Sequence, residues 1–325
     1  MLLLSGIKGQ SNAVRYLSSS LSSGRTASSY LFYGPRGVGR ASCARAFAAE
    51  IFCLERTRDG ACGMCPACRK VESELHPDLM WIRPEKNKAI KIEQIRKARE
   101  KLSLKPFESP AGFCVIEDAH MMTQEASNAL LKVLEEPPGD SILALITDKK
   151  ELLLQTVVSR CSEVRFRPLP AADTVEIIKA RADGISEDDA SFLASFSQGS
   201  PGAALAMMEE GLLLRREQLA SLVSEAMREE NPSCLNWDTA DRNLLIEDLD
   251  MLIVFIRDAA LGGAGMEEMA LDKRIAATDM YRRLSGYTPG GLYRLAGRLI
   301  GMKAALAGNV NPKIAAQALP GLFDI

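Results

Sequence analysis

Eight consecutive residues, Gly34-Pro35-Arg36-Gly37-Val38-Gly39-Arg40-Ala41, keep the spacing of a phosphate-binding loop of the form G-x-x-x-x-G-K-[ST] but lose its last two letters. The spacing permits a glycine-rich turn whose backbone N–H groups point at an anion. Arg40 stands where a lysine reaches the outer phosphates, and Ala41 has no hydroxyl to hold magnesium. Such a loop fits weak nucleotide or phosphate binding, or none, and fits hydrolysis poorly. A second element of the same chemistry follows about 80 residues later, where the apolar run Phe113-Cys114-Val115-Ile116 ends in Glu117-Asp118. This is the form of a Walker B strand, whose usual order is Asp then Glu, the first holding Mg²⁺ and the second orienting the attacking water. Here the order is reversed. Asp118 is one methylene shorter than the usual base, so its carboxylate is expected to stop short of that water. Alone, two acids at a strand end are as readily solvated surface groups. Paired with the upstream loop, they indicate descent from a nucleotide site.

Cys53, Cys62, Cys65 and Cys68 carry the strongest local signal, C-x8-C-x2-C-x2-C. Two successive C-x2-C steps bring thiols close enough for one tetrahedral ion, and Cys53 can close the site from the end of the preceding helix. Four thiolates with no open position describe a structural zinc site rather than a catalytic one. Arg56, Arg58, Arg69 and Lys70 would partly offset the thiolate charge. The alternative is four buried or redox-active thiols. Cys43, Cys114, Cys161 and Cys234 are scattered and read as small core residues.

Ser159-Arg160-Cys161 follows the apolar run Leu152–Leu154 and Val157–Val158. An arginine just before a strand of a nucleotide-binding sheet can project across a subunit boundary and stabilise charge on a neighbour's γ-phosphate. On spacing alone, a surface arginine paired with an acid is the simpler reading. Residues 83–105 hold nine basic and three acidic residues, among them Arg83, Lys86, Lys88 and Lys91, then Arg96, Lys97, Arg99 and Lys101. The stretch can touch nucleic-acid phosphates without base specificity, but a solvated helix face is the favoured reading. Only two histidines occur, His76 and His120, neither beside a nucleophile motif, which argues against a hydrolytic triad.

These groups need elements to position them. The 325 residues suffice for two or three domains, with 47% hydrophobic and 25% charged residues as in ordinary soluble protein. No apolar run approaches the roughly 20 residues of a membrane span, and no signal peptide is evident, so a cytoplasmic protein is expected. Residues 1–167 carry 25 Lys and Arg against 19 Asp and Glu, a balance of +6; residues 168–325 carry 15 against 23, a balance of −8. A mildly basic first half is compatible with a polyanion nearby. Short apolar runs at Tyr30–Tyr33, Leu79–Ile82, Phe113–Ile116, Ile142–Ile146 and Val164–Phe166, separated by helical stretches, suggest a parallel sheet covered on both faces. Thr123 to Glu136 reads as a helix capped by Thr123, striped by Ala129, Leu130, Val133 and Leu134, and stopped by Pro137-Pro138. After Pro168-Leu169-Pro170, helical periodicity takes over. It includes Asp248 to Ala260 and Leu292 to Ala307, with breaks expected at Gly262–Gly265 and Gly290-Gly291. Domain boundaries are expected near 168 and 209.

Taken together, the motifs resemble a known family: the delta-prime subunits of the bacterial DNA polymerase III clamp loader, within the AAA+ superfamily. The matching residues are the loop Gly34–Ala41, the four cysteines, His76-Pro77-Asp78, the run Asn128-Ala129-Leu130-Leu131-Lys132-Val133-Leu134-Glu135-Glu136-Pro137-Pro138, Ser159-Arg160-Cys161, and Gly199-Ser200-Pro201-Gly202-Ala203-Ala204-Leu205. They run in order over residues 1–208; the last third matches only in being helical. The resemblance implies an α/β AAA+ P-loop module with a parallel five-stranded sheet and a zinc module at about 53–68 (residues 1–167). It further implies a three-helix lid (168–208) and an all-α collar (209–325) that holds a hetero-pentamer together with gamma/tau and delta subunits. The sliding clamp and primed DNA would be the ligands of that assembly. It implies zinc at Cys53, Cys62, Cys65 and Cys68, and Arg160 as an arginine finger given to the adjacent ATPase subunit. It implies a stator within the polymerase holoenzyme that does not itself hydrolyse ATP, with ATP or ADP binding at Gly34, Gly37, Gly39, Arg40, Ala41, Glu117 and Asp118 weak or absent. The hydrolysing subunit of the same loader would be expected to carry Lys-Thr or Lys-Ser at 40–41, Asp-Glu at 117–118, and a sensor arginine where this chain has Pro201-Gly202-Ala203. Two competing expectations are an active AAA+ ATPase subunit and a zinc-bearing nucleic-acid-binding module on an inactive NTPase fold. The lack of aromatic residues interleaved through 83–105 argues against the second.

Overall fold

The computed structural model describes residues 3–58, 60–85, 88–228, 241–276, 278–308 and 310–319. The chain divides into two compact units, one of Met1–Thr174 with Gly199–Ala203, the other of Val175–Gln198 with Ala204–Ile325.

In the first unit, β1 (Ser29–Tyr33), β2 (Leu79–Ile82), β3 (Gly112–Ile116), β4 (Ser141–Thr147) and β5 (Ser162–Arg165) form one sheet in the order β2-β3-β4-β1-β5. Every pairing is parallel, with Leu31 opposite Leu145 and Val115 opposite Ala144. The three inner strands are buried on both faces, which explains why they read as continuous apolar runs rather than alternating ones. Successive side chains point to opposite faces. Tyr30 and Phe113 meet Phe47 of α2 (Arg40–Phe52) edge-to-face at 5.3 and 5.9 Å, and Phe113 also meets Phe52 at 6.4 Å. On the other face, Leu31, Cys114, Ile116 and Leu145 pack with α4 (Ile92–Ser103), α5 (Gln124–Glu135) and α6 (Gln155–Val158). The remaining helices of this unit are α1 (Ser11–Ser22) and α3 (Pro66–Glu72). The expected cap of α5 is present: the Thr123 hydroxyl accepts the Ala126 N–H at 3.2 Å. Cys43 and Cys114 are core thiols, each pushed up to about 12 by burial, whereas Cys161 is partly buried against that core and is likewise pushed up to about 12. Cys234 lies outside the described residues.

The second unit is helical. From the later part of α7 (Ala171–Arg181) it runs through α8 (Glu187–Phe196), the body of α9 (Pro201–Glu209), α10 (Leu212–Arg228), α11 (Arg242–Gly263), α12 (Lys273–Ala276), α13 (Asp279–Ser285), α14 (Pro289–Ala307) and α15 (Pro312–Ala318). One cluster of buried residues, including Phe192, Leu219, Leu252, Phe255 and Leu299, runs through it. The boundary expected near 168 falls shortly before the first unit ends. The one expected near 209 falls inside the second unit, because Ile178, Leu193 and Ala204 share that cluster with α10 and later helices. The break expected at Gly262–Gly265 is where α11 ends. That expected at Gly290-Gly291 is instead the first turn of α14. Pro289 at its first position and the Thr288 hydroxyl, accepting from Gly291 N at 3.1 Å, start the helix before the glycines.

Candidate functional site

The glycine loop leaves the C-terminal end of β1, turns through Gly34–Gly39 and enters α2 at Arg40. Gln10, which is buried, ties the loop to the chain after β5 by donating to Val38 O at 3.2 Å and Arg167 O at 2.7 Å. On its far side the loop meets residues 199–203 of the same unit. Gly202 N donates to Gly37 O at 2.9 Å, and the Ser200 hydroxyl donates to Arg36 O at 2.7 Å. A Cβ on Gly37, whose φ is +72°, would lie 2.3 Å from Ser200 Oγ and 2.7 Å from Ala203 N. Glycine at 37 is therefore required as much by backbone contact as by the turn. Among the described residues, no backbone acceptor faces the N–H groups of 36–42.

Arg40 is 7% exposed, and its Nη1 has no hydrogen-bond partner. Side chains on a helix lean toward its N-terminus, so a residue at the first position of α2 lies back over the loop. Burial lowers the Arg40 pKa, and Asp148 and Asp118 pull it partly back; an arginine remains charged throughout. Arg36 binds Asp118 at 2.9 Å and lies 3.9 Å from Asp148. Asp118 itself has φ +49°, a left-handed conformation that Asp tolerates better than most residues. His120 Nδ1 lies 3.0 Å from Thr147 Oγ1 and 3.4 Å from Asp148 Oδ1. Two arginines and two aspartates thus occupy the mouth of the loop and neutralise one another.

Glu117 is turned away from this mouth. Its Oε2 accepts from Trp81 Nε1 at 2.9 Å and Arg83 Nε at 2.8 Å. Arg83 also makes two 2.7 Å bonds to Glu74 and lies over the Trp81 ring at 4.7 Å. Hydrogen bonding from Arg83, opposed by burial and reinforced by Arg45, holds the Glu74 carboxyl down at about 2. The second acid of the pair is therefore tied to Arg36 and the first to the edge strand β2. In this arrangement each acid is paired with an arginine.

The four sequence-predicted metal ligands come together. The thiols of Cys53, Cys62, Cys65 and Cys68 all lie within 4.8 Å of one another, with Cys53 Sγ and Cys65 Sγ 4.0 Å apart. Four sulfurs about 2.3 Å from one tetrahedral ion are about 3.8 Å apart, so the group needs only a slight contraction to fit zinc. Cys62 N donates to Cys53 Sγ at 3.2 Å and Cys65 N to Cys62 Sγ at 3.3 Å, stabilising thiolate charge. Arg56 and Lys70, expected to offset that charge, are paired with Glu50 and Glu108 instead. These donors fit a structural ion that would tie the end of α2 to α3.

Arg160 follows α6 and lies apart from its own chain's loop mouth. Its Nη1 donates to Thr156 O at 2.9 Å and its Nη2 lies 2.8 Å from Glu135 Oε1. The surface ion pair that spacing alone favoured is thus present. In the basic stretch, Lys86 lies outside the described residues. Arg83 and Lys101 are engaged within the unit, while Arg96, Lys97 and Arg99 are exposed on α4. His76 is buried and stacked on Phe52 at 4.3 Å, and Asp78 accepts the N–H groups of Phe107, Glu108 and Ser109 at 2.6–2.9 Å. That motif is architectural here.

Asp148, Gln10 and Arg36 also belong to the site, though no motif marks their roles in the sequence. Asp148 carried one signal: with Thr147 it puts polar side chains at the C-terminal end of an otherwise apolar strand, where α/β sheets place their ligands. The contact of residues 199–203 on Gly37 carried none, because it joins segments about 165 residues apart.

A parallel sheet of this strand order, with a glycine loop after β1, paired acids after β3 and a polar end to β4, is an AAA+ P-loop module. The family profile described as "DNA polymerase III, delta subunit" matches residues 9–170. Over 227 residues the chain is 34% identical to the DNA polymerase III subunit delta' of Pseudomonas aeruginosa, covering 68% of this chain and 69% of that protein. Over 235 residues it is 31% identical to the Escherichia coli subunit delta', covering 68% and 70%. It is also 29% identical over 210 residues to DNA polymerase III subunit tau of Bacillus subtilis, covering 63% of this chain and 37% of that protein. The chain belongs to the delta-prime subunit family of DNA polymerase III. Among the described residues, no helix is long and apolar enough to cross a membrane.

Proposed function

We propose that this chain is a non-hydrolysing stator of a clamp loader and gives Arg160 to the ATP site of an adjacent ATPase subunit. In this reading residues 168–208 serve as a lid and 209–325 as a collar in a hetero-pentamer with gamma/tau and delta subunits. That assembly acts on a sliding clamp and primed DNA. Zinc at the four cysteines is structural, and ATP or ADP binding is weak or absent.

The observation that carries this reading is the state of the chain's own loop. Ala41 offers magnesium no hydroxyl, Asp118 is bound to Arg36, and Glu117 is bound to Trp81 and Arg83. Hydrolysis asks for a metal ligand, a water-orienting acid and a sensor charge in one place. Each is absent or committed elsewhere, and the start of α9 offers Pro201-Gly202 where a sensor arginine would stand. Arg160, by contrast, keeps a partly exposed guanidinium at the edge of the unit.

The test has two arms. The isolated chain should turn over no ATP, and Asp118→Asn should change nothing; steady hydrolysis abolished by that change would establish an active ATPase subunit instead. In a loader reconstituted with the cognate ATPase subunits, Arg160→Ala should lower the DNA-dependent ATPase rate while assembly persists. An unchanged rate in a fully assembled loader would remove the finger role. A nucleic-acid contact by Arg96, Lys97 and Arg99 would appear as salt-dependent DNA binding by the isolated chain, lost on changing Lys97 and Arg99.

A further inference from the structure

Two motifs far apart in the sequence meet at one ion pair. Glu135 closes α5 in the run Leu134-Glu135-Glu136-Pro137-Pro138, and Arg160 is the centre of Ser159-Arg160-Cys161. Their side chains lie 2.8 Å apart, and Arg160 has a second anchor on its own helix turn at Thr156 O, 2.9 Å away. Glu135 is the one acidic partner of Arg160 among the described residues. We propose that Glu135 is a positioning residue for Arg160, holding the guanidinium in the pose from which it reaches a neighbour's triphosphate; this inference rests on the finger reading above.

An acid beside a finger can play either of two roles. A strong pair would sequester the arginine and inhibit. This pair is exposed, with 37% of the Arg160 side chain and 49% of the Glu135 side chain accessible. Exposed ion pairs are weak and yield to a stronger competitor. A triphosphate presents several negative charges at a subunit boundary with reduced access to water, so it displaces Glu135 readily. What the pair does accomplish is conformational. A free arginine samples many rotamers, and the freedom it must lose to bind corresponds to a factor of about thirty. Two anchors remove much of that freedom before the neighbour arrives, and two of the five guanidinium N–H donors suffice for them. Pre-organisation of this kind lowers the barrier without adding a contact to the substrate. Pro137-Pro138, directly after the helix, fix the chain leaving α5 and so hold its last turn in place.

The test uses the reconstituted loader and Glu135→Gln, which keeps the shape and removes the charge. The component of DNA-dependent ATPase that Arg160→Ala abolishes should slow about three- to tenfold in Glu135→Gln. KM for ATP should be unmoved, because the finger acts in the transition state. Thr156 O still holds one side of the guanidinium, so the loss stays below thirtyfold. Adding Glu135→Gln to Arg160→Ala should cost nothing further, since the two act through one group. Thermal unfolding of each variant chain separates a local effect from misfolding. A wild-type rate for Glu135→Gln, in a loader that Arg160→Ala impairs, would overturn the positioning role and leave the finger reading standing. A rate above wild type would overturn it in favour of sequestration, and an additive loss in the double variant would place the action of Glu135 elsewhere. A wild-type rate for Arg160→Ala itself would remove the finger reading.

Discussion

Replacing Gly37 with alanine tests whether the nucleotide loop is clamped by residues 199–203. The new Cβ would carry two separate costs. One is backbone strain at φ +72°, about 1 kcal/mol for alanine in the left-handed region. The other is contact: Ser200 Oγ would be 2.3 Å away and Ala203 N 2.7 Å away. Backbone cannot yield as a flexible side-chain tip does, so the loop must part from the segment. That loses the Gly202–Gly37 and Ser200–Arg36 hydrogen bonds, each worth about 1 kcal/mol. Gly24 supplies the control, with φ +66° and nothing within 4 Å of its added Cβ. Gly24→Ala should therefore cost about 1 kcal/mol and Gly37→Ala about 3. Urea unfolding of the full chain, followed by Trp81 fluorescence in a Trp237→Phe background, reports on the first unit. With a slope of about 2 kcal/mol/M, the two midpoints should differ by about 1 M. Equal midpoints would refute the clamp.

Three further outcomes are expected. Purified protein should hold one zinc per chain by elemental analysis, and Cys62→Ser or Cys68→Ser should abolish it and destabilise the first unit by several kcal/mol. Glu74 should contribute acid-side stability. Its carboxyl is held at about 2 by Arg83 and Arg45, below its ordinary value near 4.5, so the contribution is full above about pH 5 and fades as pH falls toward 2. Glu74→Gln should then flatten the stability profile between pH 5 and 2, measured by urea midpoints. Phe113→Ala should cost about 3–5 kcal/mol, because Phe113 is fully buried against Phe47 and Phe52, and the loss should again register at Trp81.

Several features were legible without coordinates because they depend on neighbours in the chain. The three inner strands could be placed because burial on both faces leaves an apolar run that few polar residues interrupt. The start and end of α5 followed from Thr123 and from Pro137-Pro138, whose effects are steric and local. The four cysteines could be grouped because C-x2-C spacing already confines two thiols to one small volume. Gly290-Gly291 lies in the first turn of a helix rather than at a break, because glycine propensity alone says nothing of a Thr-Pro start two residues earlier.

The amino-acid sequence by itself determined which tools are missing. A hydroxyl absent at Ala41 and an acid one methylene short at Asp118 are covalent facts that no fold can restore. Only the tertiary structure decided what the remaining groups do instead. It bound Asp118 to Arg36, turned Glu117 to Trp81 and Arg83, set Gly202 against Gly37, and brought Glu135 to Arg160. Each of these contacts joins residues that the chain holds far apart, and such pairs form only when packing of the whole unit has offset the entropy of closing the loops between them.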